Sequence, residues 1–268
     1  MTPFNVIHLT DLHLVPPGER VYGLDPAERL AQAVSSIAAR HGPDGPAPAA
    51  MAIVTGDLTH EGRPEAYALL RGLLAEIPFP VHVIPGNHDE RAALAAAFPG
   101  LPHDADGFMQ QVIPTPAGRF VLLDTKEPGT HAGTLCERRL AWLADQLDED
   151  DGPVFLWLHH PPQIVGIARM DDLRLRDADA LWATLAPHQS RVRHMFHGHL
   201  HRPLSGTWHD IPFASLRGTS HQVALDFGER TTIPGSHEPP AYALVRFAAD
   251  SVVIHPHDFL DATNTLAL

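Results

Sequence analysis

Five short apolar stretches of this chain each run into a residue able to bind a metal. Phe4–Thr10 leads to Asp11-Leu12-His13, Ala52–Thr55 to Gly56-Asp57, and Val81–Ile84 to Gly86-Asn87-His88-Asp89. Val154–Leu158 leads to His159-His160, and Val192–Phe196 to His197-Gly198-His199-Leu200-His201. Short β-rich apolar runs bounded this way are buried strands. In α/β sheets, ligands gather beyond the carboxyl ends of the strands. One polar residue at a strand end means little, but five in order require a fold that brings five strand ends to one edge.

The intervening sequence supplies helices. Asp25-Pro26-Ala27-Glu28 is a helix start, with an N-cap, a first-turn proline and an acidic N3 residue. Leu30, Val34 and Ile37 follow at helical spacing. Further helices are predicted over Pro64–Ile77, Glu90–Ala97, Thr134–Leu147 and Asp177–Leu185. Phe108–Ile113 and Arg119–Asp124 form a hairpin around Thr115-Pro116-Ala117-Gly118. After His201 the pattern is all-β, with strands over Leu204–Trp208, Ile211–Ala214, Gln222–Phe227, Tyr242–Phe247 and Val252–His257. The expected fold is α/β: two sheets packed face to face and flanked by helices, with a β-rich C-terminal segment. Residues 1–202 form the core, and residues 203–268 belong to the same domain as a cap or an oligomer contact.

Composition excludes several partners. The formal net charge is −13, which disfavours nucleic acid and anionic membrane, since both attract basic surfaces. Two divalent cations in a cleft would reverse that field locally. No apolar run reaches the ~20 residues of a membrane span, and the N-terminus lacks signal-peptide features, so a cytoplasmic location is expected. The single cysteine, Cys136, excludes an internal disulfide and is read as a small filler. Histidines number 20 against 19 Lys and Arg together. His8, His82, His255 and His257 are read as packed or surface side chains, and Lys126 is the one lysine.

Carboxylate, amide and imidazole donors together suit first-row transition metals. Asp57 is the natural bridge between two cations, because Gly56 lets the chain turn sharply before it. Asn87 adds a neutral oxygen, so the site keeps positive charge for a substrate. A two-metal site of this kind generates hydroxide at neutral pH and clamps both oxygens of a phosphoryl transfer.

The ordered set Asp-x-His, Gly-Asp, Gly-Asn-His, a later His and Gly-His-x-His resembles the calcineurin-like metallophosphoesterase family over residues 4–201. It is most similar to the class III cyclic nucleotide phosphodiesterases and related glycerophosphodiesterases. Val21-Tyr22-Gly23, Gly62-Arg63-Pro64-Glu65, His159-His160-Pro161-Pro162 and Gly218-Thr219-Ser220-His221-Gln222 look like the glycerophosphodiesterase side. The resemblance implies one metal held by Asp11, His13, Asp57 and His201, and another by Asp57, Asn87, His159 and His199. It leaves His160 behind the site or in the pocket wall. His88 would face the phosphate as a catalytic group with Asp57 and Asn87, and Asp89 would orient a neighbour. Tyr22, His60, Arg63 and His221 would touch substrate, while His197 is read as structural.

The expected reaction is hydrolysis of a small-molecule phosphodiester, either a 3',5'-cyclic nucleotide or a glycerophosphodiester, by attack of a metal-bridging hydroxide. No Gly-x-Ser-x-Gly is present, in keeping with the lack of a covalent step. Alternatives within the fold are a phosphomonoesterase, a nuclease, or a non-catalytic metal-binding scaffold. The metals would come from Fe, Mn, Zn and Co, divalent or of mixed valence, and the resemblance implies a homo-oligomer.

Overall fold

The computed structural model describes residues 2–228 and 231–261. The strands are β1 (Phe4–Leu9), β2 (Met51–Thr55), β3 (Val81–Ile84), β4 (Gln111–Thr115), β5 (Gly118–Leu123), β6 (Val154–Leu158) and β7 (Val192–His197). They continue as β8 (Leu204–Trp208), β9 (Ile211–Ser215), β10 (Gln222–Val223), β11 (Gly235–Ser236), β12 (Ala241–Phe247) and β13 (Val252–Asp258). Helices are α1 (Pro26–His41), α2 (Pro64–Leu74), α3 (Arg91–Ala97), α4 (Glu137–Asp148), α5 (Ala168–Asp171) and α6 (Ala178–Leu185).

Two main sheets result, ordered β13-β12-β1-β2-β3 and β4-β5-β6-β7-β9-β8, with β10 and β11 as a separate two-stranded pair. β1, β2 and β3 run parallel, as do β5, β6, β7 and β9. Their central strands are covered on both faces, which is why they are continuous apolar runs. Val6, Ile53, Ile84 and Phe247 of one sheet meet Phe120, Phe155, Trp157 and Phe196 of the other in the inter-sheet core. Each such side chain contributes about 1.5–3 kcal/mol of burial. Outer clusters carry α1 and α2 on the first sheet and α4 and α6 on the second. Asp25 caps α1, its Oδ1 accepting from the Ala27 and Glu28 amides at 3.0 and 3.1 Å.

Register brings the motifs together. Leu9 pairs with Val54 and Thr55 with Ile84, so β1, β2 and β3 end at one level. Leu158 pairs with His197 in the facing sheet. The five strand ends open on the same edge of the sandwich.

Some boundaries differ from those the sequence pattern predicts. The helix expected from Thr134 begins at Glu137, because Thr134 and Leu135 are held by Thr125 O and the Asp177 carboxylate. The strand expected from Phe108 begins at Gln111, because the Asp104 side chain accepts from the Asp106 and Phe108 amides and turns the chain there. The strand expected over Gln222–Phe227 is the two-residue β10, since its partner β11 is preceded by Pro234, which offers a carbonyl to Ala224 but has no N–H. The β-rich C-terminal part finishes both sheets: β8 and β9 extend the second, β12 and β13 the first. Its expected residues 262–268 lie outside the described ones. Among the described residues no helix is long and apolar enough to cross a membrane.

Candidate metal centre

Asp11, His13, Asp57, His199 and His201 all adopt positive φ, between 47° and 67°. Left-handed backbone is uncommon outside glycine and costs on the order of 1–3 kcal/mol per residue, less for Asp and His. Five such residues at one edge are turned inward against local preference. Gly56 makes this possible at β2: its φ is +93°, and a Cβ there would sit 2.6 Å from His159 Nδ1. At Gly86 a Cβ would collide with the Asp57 carboxylate.

Two donor groups share Asp57. Asp11, His13, Asp57 and His201 place one ligand atom each within 4.8 Å of one another, all buried. His201 Nε2 lies 3.3 Å from Asp11 Oδ1 and 3.1 Å from His13 Nε2, which is 3.5 Å from Asp57 Oδ2. The other oxygen, Asp57 Oδ1, lies 3.4 Å from His159 Nε2. Asn87 Oδ1 is 3.1 Å from His159 Nε2 and 2.9 Å from His199 Nδ1.

These atoms are acceptors facing acceptors. His159 Nδ1 donates to Thr55 O at 2.6 Å, and His201 Nδ1 to His221 O at 2.8 Å, so each Nε2 presents a lone pair to the centre. Such a set fits cations: one group holds two carboxylates, the other a carboxylate and an amide, with Asp57 common to both. Protons do the same work in the bare side chains. Burial opposes the charged form of His159, yet Asp57 outweighs it and pushes the imidazole up to about 9. Burial likewise opposes charge on Asp57, but His159 and His88 hold its carboxyl well below the usual carboxylate range. His199 Nε2 is buried without a partner.

His160 falls into a cluster with His159 and His199. Both its nitrogens are engaged elsewhere, Nδ1 with Thr125 Oγ1 at 2.7 Å and Nε2 with His131 O at 3.2 Å. Only His159 of that pair points an open nitrogen at Asp57.

A cavity of about 620 Å³ opens over the donors, and Tyr22, His60, His88 and His221 line it. His88 Nδ1 donates to His60 O at 2.7 Å, leaving Nε2 for whatever occupies the cavity, and its amide donates to Asp57 Oδ1 at 2.9 Å. His60 stacks on His88 and meets His13 Nδ1 at 3.2 Å, so it braces two other imidazoles as well as forming wall. Burial and the neighbouring His201 drive His221 down to about 3. Arg63 does not line the cavity: its guanidinium pairs with Glu19 at 2.8 Å and points toward Glu65. Asp89 is buried and accepts from the Leu58, Thr59 and Gly86 amides and Tyr67 Oη, tying the Asp57 loop to the Asn87 loop. His197 is buried with neither nitrogen partnered, and burial pushes it down to about 3.

No motif marks the segment following β5, yet it supports the site. His131 Nδ1 accepts from Asn87 Nδ2 at 2.9 Å, which turns Asn87 Oδ1 toward His159 and His199. Lys126, the one lysine, is buried and donates from Nζ to Asn87 O at 3.2 Å. Arg91 and Arg139 both donate to Lys126 O, at 2.6 and 2.9 Å. A lone lysine just past a strand end was the available signal, but its partner lies 39 residues away.

Comparison with known proteins agrees with this geometry. The sequence pattern of the calcineurin-like phosphoesterase family matches residues 4–203. A probable cyclic nucleotide phosphodiesterase of Rhodopseudomonas palustris is 48% identical over 94% of this chain and 91% of its own length. The glycerophosphodiester phosphodiesterase GpdQ of Enterobacter lignolyticus is 31% identical over 93% of this chain and 89% of its own. Among solved structures, a purple acid phosphatase from yellow lupin superposes with a TM-score of 0.64 at 13% identity, covering 98% of this chain and 52% of that one, a likeness of fold. Two faced sheets, strand-end donors and the family pattern over three quarters of the sequence agree: the chain belongs to the calcineurin-like phosphoesterase family.

Proposed function

We propose that this protein hydrolyses small phosphodiesters with two transition-metal ions as cofactors. The observation that carries this is the carboxylate of Asp57, whose two oxygens face His13 and His159 at 3.5 and 3.4 Å in two otherwise separate donor groups. Asp11, His13, Asp57 and His201 would hold one ion, and Asp57, Asn87, His159 and His199 the other. Iron, manganese, zinc and cobalt all suit these donors. When bound, such ions lower the pKa of water and neutralise phosphate oxygens.

The chain's own residues do the rest. Asp57 and Asn87 fix the spacing of the two donor groups. His88, oriented by its Nδ1 bond to His60 O, presents Nε2 to the phosphate and donates a proton to a phosphoryl or leaving oxygen. Tyr22, His60 and His221 bound the substrate. The relatives' names supply two substrate classes, cyclic nucleotides and glycerophosphodiesters.

The test is turnover of matched diester and monoester nitrophenyl phosphates by metal-reconstituted protein, with a chelator control and Asp57→Ala. Chelator-sensitive diester turnover well above monoester turnover, lost in the variant, is expected. Dominant monoester turnover would replace this reading with a phosphatase.

A further inference from the structure

His60 stands beside His13 because the chain keeps pairing past the ends of β1 and β2. The amides of Asp11, His13 and Leu14 donate to the carbonyls of Gly56, Asp57 and Leu58 at 3.0, 2.9 and 3.1 Å. The His60 amide donates back to Leu14 O at 2.9 Å, and Leu14 and Thr59 are bridge partners. This pairing brings His60 Nδ1 to 3.2 Å from His13 Nδ1. Main-chain bonds hold both residues, so the two rings start from fixed positions.

One proton arrangement fits the contact. His13 Nε2 faces His201 Nε2 at 3.1 Å and Asp57 Oδ2 at 3.5 Å, so its lone pair belongs to the donor group of Asp11, His13, Asp57 and His201. A neutral imidazole then carries its proton on Nδ1. His13 Nδ1 donates, His60 Nδ1 accepts, and His60 keeps its own proton on Nε2. His159 and His201 are oriented differently. Their Nδ1 atoms donate to Thr55 O and His221 O, both main-chain carbonyls. Of these three imidazoles, His13 is the one that leans on a side chain, and that side chain lines the cavity.

An acceptor for Nδ1–H does two things for a metal-binding imidazole. It fixes the tautomer and the ring orientation, and it raises the basicity of Nε2. A charged acceptor strengthens both effects, so a carboxylate in the place of the His60 imidazole would make His13 a stronger donor.

We propose that His60 is a positioning residue for this donor group, holding His13 in its Nδ1–H form and setting how tightly the group binds its cation. The assignment rests on the two-metal reading above and gives one of its sites a tuning residue outside the donor set.

The side-chain geometry supplies the test. Asn and Asp carry Oδ1 on Cγ, where His carries Nδ1, so either puts an acceptor near the same point, whereas Leu puts none there. The bond from His88 Nδ1 to the His60 main-chain carbonyl survives all three changes. Zinc affinity is read by competition with a chelator, in an Asn87→Ala background that keeps this site distinct from the other. His60→Leu is expected to weaken binding by about 10–100-fold, His60→Asn to stay within about threefold of the parent, and His60→Asp to tighten binding by about threefold or more. Long-range proton–nitrogen NMR of the zinc-loaded parent is expected to show His13 protonated at Nδ1 and His60 at Nε2. Unchanged affinity in His60→Leu, equal weakening in all three variants, or a His60 ring protonated at Nδ1 overturns the assignment. No part of the series uses a diester. A protein that binds zinc in this graded order but hydrolyses nothing therefore supports the assignment while overturning the functional reading.

Discussion

The seven donor residues, five on the cavity floor and Asp11 and His159 buried beneath it, are each 8% exposed or less, whereas Tyr22 and Ile233 on the rim are 65% and 38% exposed. Five of the seven donors hold left-handed backbone; Asp89 ties the Asp57 loop among them to the Asn87 loop, which His131 and Lys126 support in turn. On the C-terminal side the rim rests on a pair of two-residue strands and the loops around them. A floor that must hold acceptors against acceptors needs rigidity from elsewhere in the fold. A rim that only selects what enters needs shape, and it can change at small cost to stability. Substitutions should therefore separate into large effects on chemistry from the floor and small effects on selectivity from the rim.

The largest separation is expected at His88. Its side chain is outside both donor groups, yet its Nδ1 bond to His60 O fixes it at their edge. His88→Ala should lower kcat by roughly 10²–10⁴, with two metal equivalents per chain still bound by elemental analysis. Loss of metal together with activity would make His88 part of the cage and remove its separate chemical role.

Lys126 tests whether rigidity of the floor is imported. It touches no donor atom: its Nζ reaches the Asn87 carbonyl at 3.2 Å and the Glu90 carboxylate at 3.6 Å. Lys126→Met should weaken one of the two metal equivalents by about 10–100-fold, read by metal titration, while leaving the other unchanged. Lys126→Arg should recover part of that loss. Equal weakening of both sites would mean that the segment supports the whole fold.

A third effect concerns the sandwich beneath the floor. His8 is buried in β1, its Nε2 2.8 Å from Thr55 Oγ1 and its ring edge-on to Trp157. Burial holds it neutral, with its pKa down to about 3. Above pH 6.5 the folded and unfolded states carry the same charge there and nothing changes. Below it the unfolded chain takes up a proton that the folded chain refuses, so stability falls with pH, by about 2 kcal/mol near pH 5 from this residue. Urea unfolding of metal-free protein at pH 7 and pH 5 should show this fall. His8→Gln should show a shallower one.

How far these regions were legible in the sequence obeys the same division. The floor was legible because each donor directly follows an apolar run, so strand and ligand are neighbours in the chain. The two sheets came from those runs, and the Asp25 cap was read from four consecutive residues. The buttress was not legible, since Lys126 and His131 meet Asn87 from 39 and 44 residues away and no local pattern marks them. Arg63 shows the opposite error. It sits in a motif that resembles the right relatives, yet Glu19, 44 residues earlier, takes its guanidinium. The β10–β11 pairing stops after two residues at Pro234, which lies beyond the strand that the sequence pattern extends to Phe227.

Tyr22 should give the smallest effect, and it is the sharpest test of the rim. Its backbone is left-handed, at φ 50°, in a short turn closed by the pairing of Val21 with Leu24. His237 donates to its carbonyl at 3.2 Å, so the turn is held by main-chain contacts and not by the phenol ring. That ring stands edge-on to His221 at 4.7 Å and to His60 at 6.0 Å, over the cavity. Tyr22→Ala removes the ring and keeps the turn. Stability should move by no more than about 0.5 kcal/mol, while KM for a diester rises roughly three- to tenfold with kcat unchanged, the signature of lost uniform binding. A loss in kcat instead would place Tyr22 with the floor, and the line between rim and floor would have to be redrawn one residue further out.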